Sequence, residues 1–246
     1  MKPPSIWITH LSVAPWISAE SWDIYLRTVE DILDDRLVGL DDRDPVRRLA
    51  DTGNSEGKFI VDSERNHDRR WVSGKFERSK VTFSIDTYRK PIDDFGRPTR
   101  NHMTIILPQK TDLEKIKELF DFGNLHVSPF YSYADLQPII TEKGKRHQRL
   151  TSGFDIEREL PGVFWLTYFG PAYTHFFGVE RLLGLPQAQI PDGGGATIRL
   201  GASPGLLTSE REQAENDLGP QSFAGHGLLK REGEFALTLA GLRDAS

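Results

Sequence analysis

The chain has 246 residues, 37% hydrophobic and 27% charged, enough for one large or two small globular domains with a real core. It contains no cysteine, which excludes disulfides, thiolate metal sites and a cysteine nucleophile and fits a reducing compartment. The formal charge is −5, and residues 30–44 carry all of it: seven acids (Glu30, Asp31, Asp34, Asp35, Asp41, Asp42 and Asp44) against two bases, Arg36 and Arg43, while the remainder balances at 29 bases and 29 acids. A charge confined to one segment argues against a general nucleic-acid binder.

The first residues lead into Ile6-Trp7-Ile8 without a long apolar run or a small-residue cleavage site, and no stretch is apolar enough to span a bilayer. The expectation is a cytoplasmic protein with no membrane partner. Residues 6–13 read as a first strand. Ser18 is an N-cap, with Ile17 and Trp22 at the two positions of a hydrophobic staple. Trp22, Tyr25, Leu26, Val29, Ile32, Leu33 and Leu37 then recur at helical spacing and predict an amphipathic helix. Its last turns hold Glu30, Asp31, Asp34 and Asp35 where the helix dipole favours cations, with only Arg36 to oppose them. Two readings remain open for this acidic segment: a solvated face, or a docking surface for a basic partner.

Residues 51–57 are a loop by composition. Residues 58–61, 71–76 and 80–88 read as strands of an antiparallel meander; in the last, Val81, Phe83 and Ile85 alternate with polar neighbours. After a polar turn region at 91–98, residues 103–107 form a further strand. A helix opens at Thr111-Asp112, buries Leu113, Ile116, Leu119 and Phe120, and closes at Gly123-Asn124. Residues 127–133 read as a strand, and 134–143, with Pro138, as a helix or loop. The small basic patch at 143–149 lacks interleaved aromatics and reads as solvated loop.

Residues 161–178, P-G-V-F-W-L-T-Y-F-G-P-A-Y-T-H-F-F-G, are the centre of the chain. Both faces of the strand Val163 to Phe169 are apolar or nearly so, as in a strand covered on both sides. Pro171 suits the start of a helix that runs to Gly184. So dense an aromatic set reads as core rather than as a ligand site. A turn at Gly193-Gly194-Gly195, a strand at 196–200, a short acidic helix at 209–218 and a strand at 235–239 complete an α+β fold. Its sheet is mostly antiparallel, with packed helices and a central aromatic strand. The chain reads as one domain over residues 1–246, any division into two lobes falling near residues 125–150.

No coherent active site emerges. Gly201-Ala202-Ser203-Pro204-Gly205 matches G-x-S-x-G, but Pro204 has no N–H for an oxyanion hole. The seven histidines are scattered singly, without zinc-ligand spacing. His175, one turn into the helix after the aromatic strand, is the best candidate for a reactive group and reads more simply as structural. No metal or other cofactor is expected.

The run at residues 161–178 resembles the central motif of the Immunity protein 52 family, α+β proteins of bacterial polymorphic-toxin and type VI secretion systems. The resemblance implies a non-enzyme that binds a cognate secreted toxin, a restriction-endonuclease-like DNase, and inhibits it by direct contact in the cytoplasm. No catalytic residue carries over. Under that implication the seven acids of residues 30–44 would occupy the toxin's basic DNA groove as a phosphate mimic. The alternatives are an enzyme with a site near His175 and an adaptor of a secretion assembly.

Overall fold

The computed structural model describes residues 4–14, 18–42, 45–49, 56–65, 69–88, 90, 92, 99–146, 159–191, 193–205, 207–223 and 237–244. It forms two compact units, residues 1–129 and residues 130–246. The fold is α+β, and the strands within each unit pair antiparallel.

The first unit contains β1 (Ser5–Ser12), α1 (Ala19–Leu33), β2 (Leu37–Asp41), α2 (Glu56–Arg65), β3 (Arg69–Phe76), β4 (Thr82–Tyr88), β5 (Asn101–Pro108) and α3 (Leu113–Val127). Its strands lie in the order β2-β3-β4-β5-β1. Ser18 caps α1 as expected, its hydroxyl accepting the Ser21 N–H at 3.2 Å; the other half of the expected staple, Ile17, lies outside the described residues. The alternation in β4 is real: Val81, Phe83 and Ile85 are buried.

Three expectations for this unit fail. Leu37 does not extend α1 but begins β2, because Asp34 turns left-handed (φ 51°) and ends the helix. Residues 58–61 are helical, inside α2, not a strand. Their apolar run Phe59-Ile60-Val61 is too short for periodicity to decide. The start of α2 is tied to α1 instead, by the Gly57 N–H donating to Asp23 Oδ1 at 2.8 Å. Finally, α3 runs through Gly123-Asn124 to Val127, so the expected strand at 127–133 begins only at Tyr131. Gly123 is there for space: a Cβ on it would sit 2.4 Å from Nε2 of the buried His10 on β1. Asn124 Oδ1 meets His10 Nδ1 at 3.2 Å.

The second unit contains β6 (Tyr131–Leu136), α4 (Gln137–Arg146), β7 (Leu166–Phe169), α5 (Pro171–Phe177), α6 (Val179–Leu183), β8 (Ala196–Arg199), α7 (Thr208–Leu218) and α8 (Leu239–Asp244). β7 sits between β6 and β8, so the aromatic strand is central among these three. It is shorter than expected, since residues 161–165 run into it without ladder pairing. The single helix expected from Pro171 to Gly184 is broken at Gly178, whose φ of 86° no helix accommodates. Gly195 lets Tyr168 approach: a Cβ there would lie 2.1 Å from the phenol oxygen. Leu239, expected in a final strand, belongs to α8; Phe235 and Ala236 lie outside the described residues.

Candidate functional site

The seven acids of residues 30–44 divide into two groups. Glu30, Asp35 and Asp41 point back into the protein. Glu30 Oε1 accepts the Leu37 N–H at 2.7 Å and fixes the first residue of β2. Asp35, its side chain 1% exposed, accepts the N–H of Arg36 at 2.8 Å, of Arg78 at 3.1 Å and of Ser79 at 2.6 Å. It therefore pins the β3–β4 turn to the end of α1. Burial alone would raise its carboxyl, but the hydroxyl and N–H of Ser79 and the N–H groups of Arg78 and Arg36 outweigh that and hold it at about 2. Asp41 Oδ2 accepts from the Arg47 and Arg48 N–H groups at 2.9 and 3.0 Å, which lower its pKa.

Asp31, Asp34 and Asp42 face solvent. Asp44 lies outside the described residues. The acidic end of α1 is opposed by residues distant in sequence. Lys115 on α3 donates to the Leu33 carbonyl at 3.1 Å, and Arg78 donates to the Asp34 carbonyl and stands 3.9 Å from its carboxylate. The local mismatch with the helix dipole, worth about 0.3–1 kcal/mol per exposed charge, is answered by those two cations.

In the second unit the aromatic stretch is core, as expected: Val163, Phe164, Trp165 and Phe169 are all fully buried. Tyr133 stacks on Phe164 at 4.6 Å between centroids, and Phe177 on Phe223 at 5.8 Å. Sequence reasoning did not find the two buried ion pairs beneath it. Asp135 on β6 accepts from Arg211 on α7 at 2.5 Å and from the Trp165 N–H at 3.0 Å. Glu215, one turn further along α7, accepts from Lys143 on α4 and from the Val163 N–H at 2.8 Å.

Burial raises the Asp135 carboxyl, against the pull of Arg211 and of the Trp165 and Leu136 N–H groups. Arg211 also reaches the Gly205 carbonyl at 2.9 Å. The acidic helix thus docks through Arg211 and Glu215, i and i+4 on one face, Glu215 directly onto the Val163 N–H and Arg211 through Asp135, which holds the Trp165 N–H. The spacing was visible; that both side chains turn inward was not. The arrangement holds backbone and charge in place.

His175 is exposed on α5. Ser203 lies in an exposed loop whose carbonyls at Gly201 and Ala202 accept from Arg199, not in a strand-to-helix elbow. His10 is buried and held neutral: burial, together with His102 and against the bond to Asn124, pushes it down to about 3. His126 Nε2 donates to the Ser21 carbonyl at 2.9 Å. His67, His147 and His226 lie outside the described residues, as do residues 147–149 of the basic patch. Among the described residues no three His, Asp or Glu side chains could hold a metal ion, and no helix is long and apolar enough to cross a membrane.

No family model matches the chain, the Immunity protein 52 family included, and no curated protein matches it. A solved structure does: the Pseudomonas aeruginosa T6SS protein PA0821 superposes with a TM-score of 0.62 at 15% identity, over 98% of this chain and 81% of that one. At that identity what the two proteins share is the fold.

Proposed function

We propose that this chain is an immunity protein of a type VI secretion system, related to the Immunity protein 52 family. In this reading it binds a cognate secreted toxin, a restriction-endonuclease-like DNase, in the cytoplasm and blocks it by direct contact. It is not an enzyme and needs no cofactor. The observation that carries the reading is the fold likeness to a T6SS protein over nearly the whole chain. The motif at residues 161–178 supports it as a core signature, and the net negative charge supports it by complementarity. A DNA-cleaving enzyme must present a cationic groove, and opposed charge speeds the capture of such a partner. Within the acidic segment the exposed Asp31, Asp34 and Asp42 would meet the toxin in this reading, while Glu30, Asp35 and Asp41 shape the segment.

Co-expression with candidate DNase toxins of the type VI secretion system tests the reading, with survival as the score. Protection that disappears when this chain is omitted is the expected result; death at the same rate with and without it contradicts the reading. An adaptor of the secretion apparatus is a second reading that the neighbour's description suits equally. It predicts lost secretion without lost survival.

A further inference from the structure

Helices α1 and α3 run antiparallel, in contact along their length. His126 donates to the Ser21 carbonyl, the Tyr25 ring stacks on Phe122 at 5.3 Å, and Lys115 reaches the Leu33 carbonyl. Residue 21 is thus level with 126, 25 with 122 and 33 with 115. Each helix turns its apolar face inward, α3 placing Phe120 and Gly123 against His10 of β1. The opposite faces are two stripes of exposed residues with the same four-three-four spacing: Glu20, Ile24, Arg27 and Asp31 on α1, and Glu114, Glu118, Asp121 and Leu125 on α3.

The charge of these stripes is one-sided. With their caps Asp34 and Asp112, the two helices hold nine acids and three bases; seven of the acids are exposed, Asp23 and Glu30 being turned to the Gly57 and Leu37 N–H groups, and Arg27 alone of the bases is exposed. Two of the three bases are engaged within the pair, Lys115 on the Leu33 carbonyl and Lys117 on Glu114. Acids therefore dominate what faces outward, over a wider area than the acidic segment alone. The apolar members stand out within this field. Leu125 is 81% exposed and Ile24 50% exposed, and by the pairing above they lie at nearly the same level. Next to Leu125, Phe122 and His126 are half-buried and stack on each other at 5.3 Å. An apolar and aromatic centre with a charged rim is the anatomy of a protein-binding face.

We propose that the outer face of the α1/α3 pair is the docking surface for the partner, and that the partner presents a lysine- and arginine-rich protein surface with an apolar side chain that seats against Ile24 and Leu125. The inference rests on the immunity reading and makes it specific: the grip is centred on α3 as much as on residues 30–44. Nucleic acid is excluded as the occupant by the sign of the field.

The test measures affinity for the DNase toxin against which this chain protects in co-expression, at low and high salt. The proteins compared are the wild type, the triple variant Glu114→Lys/Glu118→Lys/Asp121→Lys, and Leu125→Asp. All four positions are exposed, and circular dichroism with a thermal midpoint checks each variant's fold. The triple variant is expected to lose at least about 100-fold in affinity at low salt and less at high salt. Leu125→Asp is expected to lose about 10-fold or more at both. Wild-type affinity in both folded variants overturns this docking face and leaves the immunity reading standing. Absence of binding by the wild type overturns both.

Discussion

Ser79 donates its backbone N–H to Asp35 Oδ2 at 2.6 Å across 44 positions of sequence. That bond decides what Asp35 is for. A carboxylate that receives three backbone N–H groups is a clamp between the end of α1 and the β3–β4 turn, not a free surface charge. Asp35→Ala would leave those donors without their acceptor and should cost about 2–4 kcal/mol of stability, whereas Asp34→Asn, at an 89% exposed side chain and with a residue that tolerates the left-handed backbone there, should stay within about 0.5 kcal/mol. Denaturant unfolding of the two variants beside the wild type measures the difference. Equal midpoints would refute the clamp.

The ion pair between Arg211 and Asp135 allows a sharper contrast. Replacing one partner strands the other charge inside the protein, so Asp135→Leu or Arg211→Leu alone should cost about 3–5 kcal/mol. That exceeds the roughly 1.5–3 kcal/mol gained by burying a side chain such as Leu218 of the same helix. The double variant should recover the part of the loss that comes from the stranded charge, while the Trp165 N–H stays without its acceptor. A double-mutant cycle measures the coupling directly, and additive losses would show that the two side chains act independently.

His10 makes acid stability a specific expectation. The unfolded chain protonates this residue near pH 6.5, while the folded protein resists until about 3. Between those values the unfolded state binds more protons, so stability falls as pH falls, by about 1.4 kcal/mol per pH unit for this group. His10→Asn removes the titrating ring, and its stability should depend less steeply on pH across that window, whatever its absolute value. Parallel curves for variant and wild type would contradict the buried neutral imidazole.

Gly123 gives a packing prediction on the same residue. Its missing Cβ leaves room for the His10 ring, so Gly123→Ala should destabilise by about 1–3 kcal/mol despite the better helix propensity of alanine. The penalty should shrink when His10 is also reduced to Ala. A thermal-unfolding comparison of the single and double variants checks it.

Much of the fold was legible because the signals were local. The three-four spacing from Trp22 to Leu33 gave α1, the alternation through Val81, Phe83 and Ile85 gave β4, and the aromatic density after Pro161 gave the core of the second unit. The failures share a different cause. Gly123 and Asn124 look like a helix stop, yet both serve His10, more than a hundred positions away. Phe59-Ile60-Val61 looks like a strand, yet Asp23 caps the start of its helix. The acidic segment looked uniform, yet three of its acids are turned inward by backbone donors, all of which lie beyond the local helix. The buried charges Asp135, Lys143, Arg211 and Glu215 were unreadable for the same reason. A charged residue on a polar helix reads as solvated until its partner, about 70 positions distant, is seen.

The most direct measurement is a titration. The purified chain is added in steps to a purified DNase toxin against which it protects cells, and cleavage of duplex DNA is followed. Cleavage is expected to fall in proportion to the amount added and to vanish near equimolar protein. Cleavage that continues unchanged at excess would contradict inhibition by direct contact, and so would toxin destroyed by a trace of the chain acting catalytically.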